Sequence, residues 1–184
     1  MTTSPRRHDP QRRDRIIDAC LAVIAENGVA GTTHRRVAAA ADVPLGSMTY
    51  HFADKDELLR EALTRFADSV ATSLGTRMAA ATTRDEAIEG IITHIQDDVL
   101  ASPRDLVLTH ELYTLAARDP AYRQLTNAWM RASRSALERH LDAATARMVD
   151  ALIEGLSIHR ALGTEPQDPN LVRQAVRRIT GPDR

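Results

Sequence analysis

Apolar residues recur along this chain at intervals of three and four and almost nowhere alternate strictly with polar ones, a periodicity that predicts helices and no strands. Ile16, Ile17, Cys20, Leu21, Val23 and Ile24 fill adjoining rows of a first helix that begins near Pro10, and Asn27-Gly28 is expected to stop it. Thr32-Thr33 opens a second, short helix carrying Val37, Ala38 and Ala41. Asp42-Val43-Pro44 interrupts the pattern, and a third short segment runs from Leu45 to Phe52.

Asp54 followed by Glu57 is a capping-box spacing, and Leu58, Leu59, Ala62, Leu63, Phe66, Val70 and Leu74 continue on one broad face of a long fourth helix. Thr83 and Glu86 repeat that spacing before Ile88, Ile91, Ile92, Ile95 and Val99. Ser102-Pro103 and Asp119-Pro120 open two further helices, because proline fits a first helical turn without losing a hydrogen bond. Residues 138–148 contain neither Gly nor Pro although the apolar stripe changes face there, so the pattern predicts a junction without placing it. From Met148 to Leu162 the apolar residues fall on two stripes with Gly155 between them, as in a helix with two buried faces. Asp168-Pro169 begins a last helix with Leu171, Ala175 and Ile179. The expected fold is all-α with about nine helices, a three-helix amino-terminal domain over residues 1–53 and a helical domain over residues 54–184.

The composition, 43% hydrophobic and 27% charged, is that of a globular chain with a real core. No apolar run approaches the roughly 20 residues of a membrane span, Cys20 is a lone cysteine, and the opening residues lack the apolar stretch of a secretory signal. The expectation is a cytoplasmic protein with no membrane partner. The formal net charge is only −1, but residues 1–41 set seven arginines (Arg6, Arg7, Arg12, Arg13, Arg15, Arg35, Arg36) against four carboxylates. A basic amino-terminal arm on a near-neutral protein concentrates attraction for an anionic partner at one end.

The two short helices around Asp42-Val43-Pro44 have the spacing of a helix-turn-helix, in which the first helix spans the DNA backbone and the second enters the major groove. Met48 and Phe52, four apart, pack inward. That leaves Leu45, Gly46, Ser47, Thr49, Tyr50 and His51 nearer the outside, where small residues permit close approach to bases. The run Thr32-Thr33-His34-Arg35-Arg36-Val37-Ala38, then Ala41 through Phe52, then Lys55-Asp56-Glu57-Leu58-Leu59 resembles the TetR family of bacterial transcriptional regulators over residues 13–59. The resemblance implies a divergent helical body that binds an effector and dimerises. It implies phosphate contacts from Thr33, Tyr50, His51 and Lys55, which set register, and Arg35, Leu45, Gly46, Ser47 and Thr49 over or beside base edges. The arm arginines would add backbone or minor-groove contacts. Thr49 stands where the family often has a second Tyr, Leu45 where a polar or basic residue is common, and Asp42 where the turn usually has Gly; Asp tolerates the left-handed conformation better than most residues.

In the carboxy-terminal body, His94, His110, Glu111, Tyr113, Trp129 and Met130 offer polar and aromatic groups among apolar ones, with His110, Tyr113 and Trp129 the expected ligand contacts. His110-Glu111 begins like a zinc-protease motif, but Thr114 occupies the position of the second His. His94 and Asp98 lie one turn apart with no third ligand marked by spacing, and read as a solvated pair. Cys20 reads as a core residue. There is no Gly-rich phosphate loop, no Gly-x-Ser-x-Gly turn and no paired Cys motif, so neither an enzyme nor a cofactor or metal site is expected. Met148, Leu152, Gly155, Leu156, His159, Leu171 and Ala175 are the expected homodimer contacts, Gly155 allowing close helix approach. The reading is a ligand-responsive, sequence-specific DNA-binding regulator, a repressor released from a near-palindromic operator by a small-molecule effector. The alternative is a helical small-molecule-binding protein or enzyme whose DNA-binding module is vestigial.

Overall fold

The computed structural model describes residues 10–100, 102–165, 168 and 170–181. Among these, nine α-helices and one π-helical turn are present and no strand: α1 (Arg12–Gly31), α2 (His34–Ala40), α3 (Gly46–His51), α4 (Lys55–Ala80), α5 (Arg84–Thr93), the π turn (His94–Asp98), α6 (Pro103–Arg118), α7 (Pro120–Leu137), α8 (Ala143–Leu162) and α9 (Leu171–Thr180). The chain divides into two compact units, one up to Leu63 and one from Thr64 onward.

The first unit is ordered by punctuation. Gly28, at φ 66° and ψ 171°, breaks the regular geometry of α1, and the chain resumes a last helical turn to Gly31 instead of stopping at Asn27-Gly28 as the sequence suggested. The Thr32 hydroxyl donates to the Gly28 carbonyl at 2.8 Å, closing that kink. Thr33 is the amino-terminal cap of α2, its hydroxyl oxygen accepting from the Arg36 backbone N–H at 3.3 Å. Asp42 adopts the left-handed conformation at φ 51°, which the side chain at that turn tolerates. Ile16, Ile17, Cys20, Ile24, Val37, Met48, Phe52, Leu58 and Leu63 form the buried set, so α1, α2, α3 and the start of α4 share one small core. Each such side chain removed from water contributes about 1.5–3 kcal/mol. Cys20 belongs to this core, and burial pushes its thiol up to about 12, which makes it inert as a nucleophile.

At the opening of α4, the Glu57 backbone N–H donates to Asp54 Oδ1 at 2.7 Å and the Glu57 carboxylate accepts from the Ala53 N–H. Thr83 and Glu86 make the full reciprocal capping box at α5.

In the second unit α5 does not run on to Val99. It passes into the π turn at His94, where the Val99 N–H reaches back to the His94 carbonyl at 3.0 Å, and Leu100 follows at φ 52°. The junction the pattern left open lies between Leu137 and Ala143: Asp142 caps α8 by accepting from the backbone N–H groups of Ala144 and Thr145 at 3.1 and 3.0 Å. Leu74, Met78, Ile88, Ile91, Ile92, Ile95, Leu137, Val149, Ile153 and Val176 make its core, joining α4, α5, α7, α8 and α9. Arg177 pairs with both Asp85 and Glu89, and Arg173 with Glu89, tying α9 along α5. The Asn170 N–H donates to Asp168 Oδ1 at 2.8 Å, while Pro169 lies outside the described residues.

Candidate functional site

Two sites emerge, one in each unit. In the first, α3 has a buried side and an open side. Met48 is wholly buried and Phe52, its carboxy-terminal cap, nearly so, while Leu45, Gly46, Thr49 and Tyr50 are exposed and Ser47 and His51 half-buried. Tyr50 is 84% exposed, its ring edge against His51 at 4.9 Å. An aromatic ring left in water is unexplained by folding, because burying it would have been favourable. A methyl group placed on Gly46 would meet no atom within 4 Å, so the surface there is open to a partner as well as flat. Arg13 stacks over the Phe52 ring at 5.0 Å and pairs with Glu61, which holds α1 beside the end of α3. Burial first, then the guanidinium groups of Arg12 and Arg13, hold His51 below the ordinary imidazole range, so at neutral pH it is uncharged. Arg35, Arg36 and Lys55 are exposed, and the Arg36 guanidinium donates to the Gly31 carbonyl at 2.6 Å. Arg12, Arg13 and Arg15 stand on α1; Arg6 and Arg7 of the arm lie outside the described residues.

The second site is a cavity of about 210 Å³ inside the helical unit. One wall is aromatic: Tyr113 and Trp129 stack with centroids 5.9 Å apart and planes within 6°, and Phe66 meets Trp129 edge-on at 6.3 Å. The rest is polar to an unusual degree for an interior. Asp98 accepts from Arg77 Nε at 2.5 Å and Nη2 at 2.7 Å and from His94 Nδ1 at 3.0 Å. That fork holds the Asp98 carboxyl down at about 2, while burial keeps the imidazole of His94 below its usual range, so His94 donates as a neutral ring. His94 is therefore buried and Asp98 half-buried, both built into an ion-pair network with Arg77, which corrects the reading of a solvated pair. At the other end lie Asp150 and Glu154, one turn apart on α8. Burial, and after it the charge of Glu154, raises Asp150, against the pull of Arg134 at 3.3 Å. The Tyr113 hydroxyl donates to Glu154, and burial together with these two carboxylates raises Tyr113 as well.

Of the expected ligand contacts, Tyr113 and Trp129 share this cavity, as do His94 and Met130. His110 does not. Its ring Nδ1 donates to the Leu106 carbonyl at 2.8 Å, and it lines a separate depression with Leu106, Val107, Glu111, Thr114 and Leu162. The residues that sequence reasoning missed are Phe66, Asp98 as an ionised member, Ser133, Asp150 and Glu154. A signal existed for the last two: they are the acids within the otherwise apolar stretch Met148–Leu162, four apart on a single row. Among the described residues no group of three or more His, Cys, Asp or Glu is placed to hold a metal ion. The expected dimer residues are open to varying degrees: Met148, Gly155, His159 and Leu171 are exposed, Leu152, Leu156 and Ala175 half-buried, and a methyl group on Gly155 would meet nothing within 4 Å.

A helix-turn-helix with an open recognition face, on a chain that also encloses a polar and aromatic cavity in a helical unit, defines a ligand-responsive DNA-binding transcriptional regulator. Comparison with known proteins gives the same class. Residues 16–62 match the amino-terminal description "Bacterial regulatory proteins, tetR family", and residues 82–182 match "Tetracyclin repressor-like, C-terminal domain". The chain is 30% identical over 166 residues to the HTH-type transcriptional regulator BetI of Burkholderia mallei (strain NCTC 10229), covering 85% of each. SCO7518 from Streptomyces coelicolor A3(2), solved as a candidate transcriptional regulator, is 55% identical over 93% of this chain and 99% of its own, with a TM-score of 0.86. The multidrug binding protein EbrR, solved with imidazole, is 33% identical over 96% of this chain and 98% of its own, with a TM-score of 0.79. The chain belongs to the TetR family. No helix among its described residues is long and apolar enough to cross a membrane.

Proposed function

We propose that the protein is a homodimeric repressor that holds a near-palindromic operator through α3 and releases it when a small molecule occupies the cavity of the helical unit. The observation that carries the DNA half of this reading is the exposed face Leu45, Gly46, Thr49 and Tyr50 on a helix anchored by Met48 and Phe52. Thr33, Tyr50, His51 and Lys55 make the phosphate contacts, and Arg35, Leu45, Gly46, Ser47 and Thr49 face base edges. The effector half is supported by the cavity itself and by EbrR, which is described as multidrug binding and was also solved with ethidium, proflavin and malachite green. Met148, Leu152, Gly155, Leu156, His159, Leu171 and Ala175 form the isologous interface, Met148 and Leu171 being large apolar residues about half exposed. One continuous helix, α4, carries Lys55 at its start and the cavity residues Phe66, Val70, Ser73 and Leu74 further on, so a ligand that favours one setting of α4 acts on DNA affinity through that helix.

The test is binding of the purified protein to DNA upstream of its own gene and to a random-sequence pool, with excess competitor and at two salt concentrations. Competitor-resistant binding that weakens with salt is expected. Replacing Leu152 with Glu should yield monomers that bind this DNA poorly, measured by light scattering and gel shift. No selected sequence from the pool would sink the regulator reading; an intact dimer in the Leu152 variant would move the interface elsewhere.

A further inference from the structure

The cavity of the helical unit also indicates which ligand it takes, and this step rests on the effector reading only for the ligand's effect on DNA. Four carboxylates line it, from Asp98, Asp105, Asp150 and Glu154, and they are not equivalent. Asp98 is neutralised by the two-pronged contact with Arg77. Asp105 accepts from the Ser102 hydroxyl at 2.8 Å in the first turn of α6, where the helix dipole favours a negative charge. Asp150 and Glu154 have much less. Arg134 touches Asp150 at 3.3 Å through one nitrogen, and Glu154 receives the neutral hydroxyl of Tyr113. Two carboxylates on one helix row share a single guanidinium contact beside a stacked pair of aromatic rings.

The same cavity also carries neutral polar side chains. Thr109 and Ser133, only 5% and 8% exposed, line the same cavity. Their hydroxyls can each donate to or accept from a molecule in the cavity. An aromatic wall, two hydroxyls and the Asp150–Glu154 pair together suit a ligand with a flat face, positive charge and polar edge groups.

We infer that Asp150 and Glu154 are the charge-recognising end of this cavity and that its ligand is a planar aromatic cation lying against Tyr113 and Trp129, its edge groups hydrogen-bonded to Thr109 and Ser133. The spacing of the Tyr113 and Trp129 rings leaves no room for a third ring between them, so the ligand meets the outer face of the pair, where the ring quadrupoles attract a cation. An anion would be repelled by Asp150 and Glu154, whose two negative charges share one guanidinium contact. Among the described residues an inorganic cation finds no set of three His, Cys, Asp or Glu ligands.

The probe is ethidium, a permanently charged planar cation, titrated by fluorescence into the full-length protein, with anthracene-9-carboxylate as a planar anion. Ethidium should bind at least about tenfold more tightly than the anion, the equivalent of one pKa unit of charge interaction. Glu154→Gln and Asp150→Asn should each weaken ethidium by about that factor while leaving the anion unchanged or improved. Trp129→Ala should weaken both. Proton linkage gives a readout that loss of packing would not. Asp150 is faced by Arg134 from α7, Tyr113 from α6, and Arg147 and Glu154 from its own helix, with the His94–Asp98–Arg77 network across the cavity. A bound cation holds Asp150 ionised, so ethidium affinity should rise with pH through its titration, and Asp150→Asn should flatten that dependence.

Ethidium binding that ignores both carboxylate substitutions, an anion bound as tightly as ethidium, or no ethidium binding would overturn the inference. Operator binding by the ligand-free protein does not depend on Asp150 or Glu154, so its loss would count against the regulator reading alone. Release of operator by ethidium is compared between the wild-type protein and Glu154→Gln on the same DNA, so that intercalation affects both equally. Release should be seen at lower ethidium concentration for the wild type, and equal release by both would overturn the carboxylates' part in sensing.

Discussion

The two units treat their polar side chains in opposite ways. α3 turns its small polar residues and one tyrosine outward from two buried anchors, all within eight consecutive positions. The helical unit gathers Ser73, His94, Asp98, Thr109, Tyr113, Ser133, Asp150 and Glu154 inward, from α4, the π turn, α6, α7 and α8. An outward residue keeps its water until a partner replaces it, so it costs folding almost nothing. An inward one must be compensated inside the protein or by a ligand. Recognition of DNA here is thus separable from stability, whereas recognition in the cavity is not.

The largest effect expected from that contrast is at Phe52. Phe52→Ala removes a buried ring shared by α1 and α3, and should destabilise the first unit by about 3–5 kcal/mol, seen in urea unfolding and as loss of all DNA binding. Tyr50→Phe, four-fifths exposed, should leave unfolding unchanged and still weaken every DNA site. If the two variants unfold alike, the anchored-reader account of α3 fails.

Next in size is the ion-pair network of the cavity. Asp98 is held at about 2 against an ordinary 3.8, so it contributes stability that is fully present above that ordinary value and is lost as pH falls through about 2. The shift corresponds to about 2 kcal/mol for a carboxylate largely shielded from solvent. Asp98→Asn should lower stability at neutral pH by a similar amount and flatten the acid limb of a stability-against-pH curve. Arg77→Met should do worse at neutral pH, because it leaves the carboxylate partly buried without its cation. A steep acid limb surviving in Asp98→Asn would assign it to other carboxylates.

That difference between the units also decides what could be read from the chain. Five of the helices were legible because each opens on a residue with a local mechanism: Thr33, Asp54, Thr83, Ser102 and Asp119. The open face of α3 was legible because Met48 and Phe52 mark its inside by spacing alone. The junction at Asp142 was not, since an Asp cap without Gly or Pro resembles any helical surface. Nor was the π turn, because His94 through Asp98 carries the same three-and-four pattern as the helix before it; the extra residue shows only when the Val99 N–H reaches the His94 carbonyl. The cavity assembles residues up to 92 positions apart, from Phe66 to Ile158, and no spacing within one helix encodes that meeting. His110 illustrates the cost. It shares a helix with Tyr113, but on a neighbouring row, and so lines a different depression.

The smallest effects sharpen the comparison most, because the same chemistry occurs in both units. Thr33 and Thr83 each cap a helix by accepting from the backbone N–H three residues on, at 3.3 and 3.2 Å. Replacing either with Ala should destabilise its own unit by about 1 kcal/mol, somewhat less at Thr83 if the Glu86 carboxylate still accepts from the backbone N–H groups of Thr82 and Thr83. Their consequences for DNA should differ. Thr33 is exposed at the start of α2, where its hydroxyl also reaches a phosphate in the proposed complex, so Thr33→Ala should weaken every DNA site while Thr33→Ser restores both cap and contact. Thr83→Ala should leave DNA affinity unchanged at temperatures where the protein is folded. Gel shifts and thermal unfolding on the three variants decide it: if Thr83→Ala weakens operator binding as much as Thr33→Ala, the loss follows stability, and Thr33 is a cap with no part in reading DNA.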